Sequence, residues 1–246
     1  MTDQNTPKTS PDSLDKPFPI WVMLILPFYA GLFIALILFP LAGDWRWLEG
    51  WLYNAAFMLI TGISYFKINQ ENPRVIRNRM KFKKKGLSAV THPSASSDWF
   101  ILPFVGVGFF GAFILPSLGH RYGWVSVPFL VEILALLIVV IGNVIMSIAM
   151  LQNAYASKLL DINQDQQLID TGLYARVRHP LYAGASLMIL ATPIALGSWW
   201  GVLPACLAVV ALILRIKFEE EMLVQGMQGY VDYQKRVPYK LIPNIY

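Results

Sequence analysis

Charge is scarce in this chain. Asp, Glu, Lys and Arg make up 14% of the 246 residues, and hydrophobic residues 56%; a soluble domain carries roughly 25% charged residues. That shortage excludes an ordinary water-exposed surface and points to a polytopic membrane protein. Cysteine is almost absent. The single Cys206 lies in an apolar run, so no disulfide framework is available. It reads as a buried packing residue, because apolar surroundings disfavour the thiolate. Histidine is equally sparse: His92, His120 and His179 fall in what read as separate loops, and no metal-binding pattern joins them. There is no glycine-rich phosphate loop and no soluble dinucleotide-binding unit. No basic stripe with interleaved aromatics is present, so the net charge of +5 carries no indication of nucleic acid.

What the chain has instead is long runs without any charge. These are Ile20–Gly43, Gly50–Phe66, Trp99–Gly119, Ile133–Ser157 and Leu181–Leu214. A crossing takes about 20 apolar residues. Val125–Val131 joins the fourth run into one long helix interrupted by Glu132. As one helix Leu181–Leu214 would reach roughly 50 Å, too far for one crossing. Its middle reads Gly197-Ser198-Trp199-Trp200-Gly201, where glycines suit a turn and tryptophans an interface. Two short helices of about 16 residues each follow. The expected fold is all-α, with about six transmembrane helices, the last two forming a hairpin, and a cytoplasmic C-terminal segment. Residues 1–17 read as a disordered cytoplasmic tail, 18–151 as four membrane helices with a basic loop at 67–98, and 152–246 as a distinct functional region. The first apolar run lies too far from Met1, and is too long, for a cleavable signal peptide, so it reads as a retained helix.

Six crossings place every Lys and Arg except Arg46 and Arg121 on one side of the bilayer. By the positive-inside rule that side is cytoplasmic, with both termini on it. The expected location is an inner membrane of bacterial type.

That orientation also brings two polar clusters to one face. The first is Gly172-Leu-Tyr-Ala-Arg-Val-Arg-His-Pro-Leu-Tyr-Ala-Gly184, ahead of the hairpin; the second is Arg215-Ile-Lys-Phe-Glu-Glu-Glu221, behind it. Pro180 can open a helix, since the first turn has no use for its missing N–H. His179 and the arginines then stand at a helix N-terminus, which favours an anion. Arg176 and Arg178 also fit the role of interface residues that snorkel. Arg215 and Glu219 share a helix face and read either as an ion pair or as part of a site. Three glutamates at a helix end call for a cationic partner, from Arg215 and Lys217 or from a ligand. Tyr230–Pro243 alternates aromatics and cations, as in an interfacial helix or in a flap over a pocket. In the fourth run, Glu132 reads as interfacial, and Asn143 and Ser147 as helix-to-helix hydrogen-bonding residues.

Three groups of residues, in order, resemble the isoprenylcysteine carboxyl methyltransferase family and its relatives among membrane phospholipid methyltransferases. They are Gly172, Tyr174, Arg178, His179, Pro180, Tyr182 and Gly184; then Arg215, Glu219 and Glu220; then Tyr230, Tyr233, Arg236, Val237 and Pro238. The resemblance covers Gln152–Tyr246. It implies a membrane-embedded methyltransferase that uses S-adenosylmethionine on a lipophilic, lipid-like substrate entering from the bilayer, with no metal. By the same resemblance Gln166, Leu168, Ile169, Tyr174, His179, Pro180, Leu181, Tyr182 and Glu219 line the cofactor site, and Arg215 faces the substrate as the catalytic residue. The expected reaction is O-methylation of an isoprenylcysteine-like carboxylate. Alternatives are a phospholipid amine or small thiol as acceptor, a nicotinamide-dependent membrane reductase on a related scaffold, and a non-enzymatic membrane scaffold. Leu173 stands where the pattern has proline, Gln166 where it usually has histidine, and Gln225–Gly229 lacks the Phe-Gly before the first tyrosine.

Overall fold

A computed structural model describes residues 16–80, 98–124, 126–153 and 168–246. Met1–Asp15, Lys81–Lys85, His92 and Gln166 lie outside the described residues, and with them the expected disordered tail, most of the basic loop and one expected cofactor residue. The described residues are helical apart from turns and one isolated bridge, Ser126 to Ser198. The order is α1 (Ile20–Ala42), α2 (Leu48–Glu71), α3 (Pro73–Met80), α4 (Asp98–Tyr122), α5 (Phe129–Gln152), a 3-10 turn (Gly172–Ala175), α6 (Pro180–Ala195), α7 (Val202–Gly226) and α8 (Tyr230–Arg236). Among the described residues three helices are long and apolar enough to cross a membrane: α1, the Trp99–Tyr122 part of α4, and α5. The protein is thus an integral membrane helical bundle. Helix α2 is long enough but more polar, and α6 is apolar but only 16 residues long.

Close backbone approaches fix the packing. Helices α5 and α6 cross at Gly142 and Gly184, where a Cβ on either would lie 2.6–2.7 Å from the other's carbonyl oxygen. Gly184 therefore serves packing at the base of the functional region, and a side chain there would push α6 away. Between α2 and α5 the Asn143 amide donates to Thr61 Oγ1 at 3.3 Å. Ser147 Oγ donates to the Asn143 carbonyl at 2.7 Å and lies 2.8 Å from Ser64 Oγ. Neutral polar groups between apolar helices hold the seam, the role expected of Asn143 and Ser147.

The hairpin is present and unequal. Pro180 is the first residue of α6, capped by His179, and the turn is centred on Gly197, whose φ of 78° suits glycine. Helix α7, however, runs 25 residues, through the charged cluster to Gly226. Arg215–Glu221 thus lies within the helix, not at its end as the charge pattern suggested; Met222, Leu223 and Gln225 are good helix formers and carry it onward. Helix α5 starts only at Phe129. Pro128 caps it in an extended conformation and Ser126 pairs with Ser198, so residues 126–128 do not extend the helix as one piece. Glu132 sits in the first turn of α5, at the end of its span, and is buried among protein side chains. Cys206 is exposed on α7, on the bundle's outward side, not buried. His120 lies in the last turn of α4, not in a loop.

Candidate functional site

At the start of α6 the chain assembles a cluster of charges out of the exposed surface. Arg178, His179, Arg215 and Glu220 are each at most 8% exposed. Glu220 on α7 is its hub. Arg178 Nε donates to Glu220 Oε1 at 2.6 Å, and His179 Nε2 stands 3.2 Å from the same oxygen. Lys240 Nζ lies 3.0 Å from Glu220 Oε2. Burial works to raise the Glu220 carboxyl, but the hydrogen bonds from His179, Arg178 and Lys240 outweigh it and hold the group down at about 2. Glu220 therefore remains a carboxylate with both oxygens engaged.

Its neighbour Glu219 is in a different state. It is half-buried, and Tyr182 Oη donates to its Oε2 at 2.6 Å, while Arg215 Nη1 donates to the same Tyr182 oxygen at 2.7 Å. Among the described residues Glu219 Oε1 has no hydrogen-bond partner. Arg215 and Glu219 are thus connected through a tyrosine hydroxyl that donates to one and accepts from the other. The sequence had placed the two on one helix face; it could not show that α6 inserts Tyr182 between them.

The C-terminal segment closes this arrangement. The Arg178 and His179 amides donate to the carbonyls of Tyr239 and Lys240 at 3.0 and 2.9 Å. Arg178 Nη1 donates to Val237 O at 2.6 Å. Tyr233 Oη donates to Tyr174 O at 2.7 Å, and Arg236 pairs with Asp170 at 2.7 Å. Within Tyr230–Pro243 the structure has both a short helix, α8, and a following segment docked on the Arg178–Pro180 turn. The helix-start amides expected to meet a ligand anion are in part satisfied by this flap. The Leu181 amide, in the first turn, has no acceptor among the described residues.

Tyr174, His179, Pro180, Leu181, Tyr182, Arg215 and Glu219 thus all belong to one end of the α6–α7 hairpin. Leu168 packs instead with Leu223, Tyr230, Tyr233 and Val237, on the cluster beneath the flap. Ile169 is half-buried one residue further on. Sequence reasoning left Glu220 and Lys240 out of the site list, along with Arg178. The adjacent Glu219-Glu220 pair was the available signal, since two like charges side by side on a helix cannot share one environment. Lys240 had none, because its partner is distant in sequence.

A bundle of apolar helices with most of the buried charges among its described residues gathered at one end of a hairpin defines an integral membrane protein with a polar cluster at that end. Over residues 130–229 the sequence matches the family model described as phospholipid methyltransferase. That region takes in α5, the α6–α7 hairpin and the first two of the three motifs, so the resemblance read from them holds there. No curated protein matches the chain. Among solved structures, one similar chain is the eukaryotic intramembrane Ras methyltransferase, isoprenylcysteine carboxyl methyltransferase, determined without a monobody. The two are 17% identical with a TM-score of 0.45, over 92% of this chain and 85% of that one.

Proposed function

We propose that the protein is an integral membrane methyltransferase that takes its methyl group from S-adenosylmethionine and delivers it to a lipophilic acceptor. The observation that carries this is the inequality of Glu219 and Glu220 inside a region matching a methyltransferase family. One carboxylate is saturated and structural; the other keeps an oxygen without a partner beside a buried Tyr–Arg pair. The cofactor's amino-acid end needs one acceptor for its ammonium and one donor for its carboxylate. Glu219 Oε1 and the Leu181 amide supply that set, so the residues present fit the group. The bound sulfonium would supply an electrophilic methyl. The protein's own share is alignment and exclusion of water, and an already anionic nucleophile needs no catalytic base. The flap over Arg178 and His179 and the lipid-facing helices provide that exclusion.

Arg215 is assigned to the acceptor: a planar guanidinium, held by Tyr182, is suited to orient a carboxylate or a phosphate. The first reading of the acceptor is a carboxylate on an isoprenoid-like chain, arriving laterally from the bilayer. The family match favours a second reading, a phospholipid amine. The arrangement of six crossings with both termini and the chamber on the cytoplasmic side belongs to the same proposal and is supported by the distribution of Lys and Arg. So does the division into a tail, four scaffold helices and a functional region from residue 152 onward.

The test is to incubate membranes containing the protein with methyl-labelled S-adenosylmethionine and follow the label. Base-labile label on a lipidated carboxylate gives the first reading, and label in a lipid headgroup the second. A protein that neither transfers label nor is protected from heat by the cofactor is not a methyltransferase. Protection by a nicotinamide cofactor instead would indicate the reductase, and protection by neither a scaffold.

A further inference from the structure

The end of the bundle away from the hairpin's charged chamber holds a buried acid that the proposed reaction does not use. Glu132, in the first turn of α5, is 6% exposed, and its Oε2 has no hydrogen-bond partner. Its Oε1 faces the α6–α7 turn, 3.0 Å from where a Cβ on Gly197 would stand. That turn is tied to the approach to α5 by the Val127 amide, which donates to Gly197 O at 3.2 Å. The register of the seam, with Thr61 beside Asn143 and Ser64 beside Ser147, sets the first turn of α2, which carries the half-buried carboxylate Glu49, beside the first turn of α5. Among the described residues neither acid has a salt-bridge partner. The cationic groups at this end are turned elsewhere: Arg46 is exposed, His120 lies 3.0 Å from Asp44, and the Arg121 guanidinium lies against Gly43.

The first-turn position of Glu132 eases its burial, since a helix N-terminus favours a negative group. It leaves the orphaned oxygen and the like-charged neighbour uncompensated, and a buried carboxylate without a partner is strongly unfavourable. Both carboxylates are hard oxygen donors, and together they carry the charge that one divalent ion neutralises. We propose that Glu132 and Glu49 hold a divalent cation of the calcium or magnesium class, with water completing its shell, and that the ion ties the start of α2, the start of α5 and the hairpin turn together. Magnesium in particular keeps several waters and needs only one or two carboxylates. The site is independent of the methyl-transfer reading, because it lies at the other end of α6 and shares no residue with the chamber.

The full chain, purified in detergent and stripped with a chelator, tests this by thermal unfolding. Calcium or magnesium chloride is titrated at fixed ionic strength, with sodium chloride and ethanolammonium chloride as controls. A saturable rise in Tm of about 5–10 °C is expected from one of the divalent ions alone, the size given by a ligand at about a hundred times its Kd. Glu132→Gln should abolish the rise, and its metal-free Tm should equal or exceed that of the chelated parent, since the orphaned charge is gone. Glu49→Gln, at a less buried position, should fold normally and require at least tenfold more ion. The proposal is overturned if no divalent ion raises the Tm, if either control salt reproduces the rise, or if either variant responds as the parent does.

Discussion

The seam between α2 and α5 and the chamber at the start of α6 face the same difficulty, polar groups away from water, and resolve it differently. The seam uses only neutral groups, Thr61, Ser64, Asn143 and Ser147, each donating to or accepting from another. The chamber uses full charges, with Glu220 bound by Arg178, His179 and Lys240. A neutral seam can be lost piecemeal, since each bond is worth little and lipid-facing helices find other partners. A charged hub cannot, because removing one member leaves the remaining buried charges out of balance. The chamber therefore tolerates less change.

The comparison breaks most sharply at Arg178. Arg178→Ala removes the shortest of the three contacts to the buried Glu220 and frees the Val237 carbonyl, and it should cost about 3–5 kcal/mol. Thermal unfolding in detergent should show a large drop in Tm or no folded protein. A loss no greater than that at a surface arginine would mean that Glu220 is not the hub.

Acid should act on the same hub. Glu220 is held from its ordinary 4.5 down to about 2 in the folded protein. A depressed carboxyl contributes stability that is fully present above pH 4.5 and is lost as pH falls toward 2. The shift corresponds to about 3 kcal/mol. Unfolding temperatures between pH 6 and pH 3 should fall, and Glu220→Gln, destabilised at neutral pH, should show a flatter profile. Parallel profiles for the two proteins would remove Glu220 as the origin.

Next come the two residues that face a ligand. Glu219→Gln keeps the shape and the Tyr182 contact but loses the charge proposed to meet the cofactor's ammonium. Affinity for S-adenosylmethionine should fall about ten- to a hundredfold, the worth of a charge-assisted bond, with Tm nearly unchanged. Calorimetric titration reads this directly, and an unchanged Kd would take Glu219 out of the site. Arg215→Lys should leave cofactor affinity within about twofold while cutting turnover by about tenfold or more, because an ammonium cannot reproduce the planar fork. Full turnover in the lysine protein would rule out an orienting role for Arg215.

The chamber was more legible in the sequence than the scaffold around it. Pro180 announced the start of α6, and Gly197–Gly201 its turn, because both act through local backbone geometry. Arg215 and Glu219 could be put on one face by spacing alone. Their linkage through Tyr182 could not, since it depends on how α6 and α7 pack. The contrast between Glu219 and Glu220 was likewise invisible: it is set by Lys240 and the flap, about 20 residues further on. The extent of α7 was misread because a charge cluster at an apolar boundary looks like a helix end, when the helix only leaves the apolar layer there. The start of α5 was misread for the converse reason, as residues 126–128 lie in an apolar stretch but Pro128 stops them from joining the helix. Cys206 was assigned to the interior because it lies in an apolar run, whereas in this bundle the apolar face is the outside.

The smallest effect is expected in the seam, and it tests whether neutral pairing is as forgiving as the comparison holds. Ser147 Oγ donates to the Asn143 carbonyl, four residues earlier on its own helix, and touches Ser64 Oγ across the interface. Ser147→Ala removes both contacts and adds no charge or bulk. Helix α5 keeps its own backbone bonds, and Ser64 retains Asn143 within reach at 3.4 Å. The loss should be about 0.6 kcal/mol, the average for such bonds between membrane helices, or a Tm lower by about 1–2 °C, with cofactor affinity unchanged. If Ser147→Ala instead lowers stability as much as Arg178→Ala, the seam is a cooperative unit like the hub. The contrast between neutral and charged packing in this protein would then be wrong.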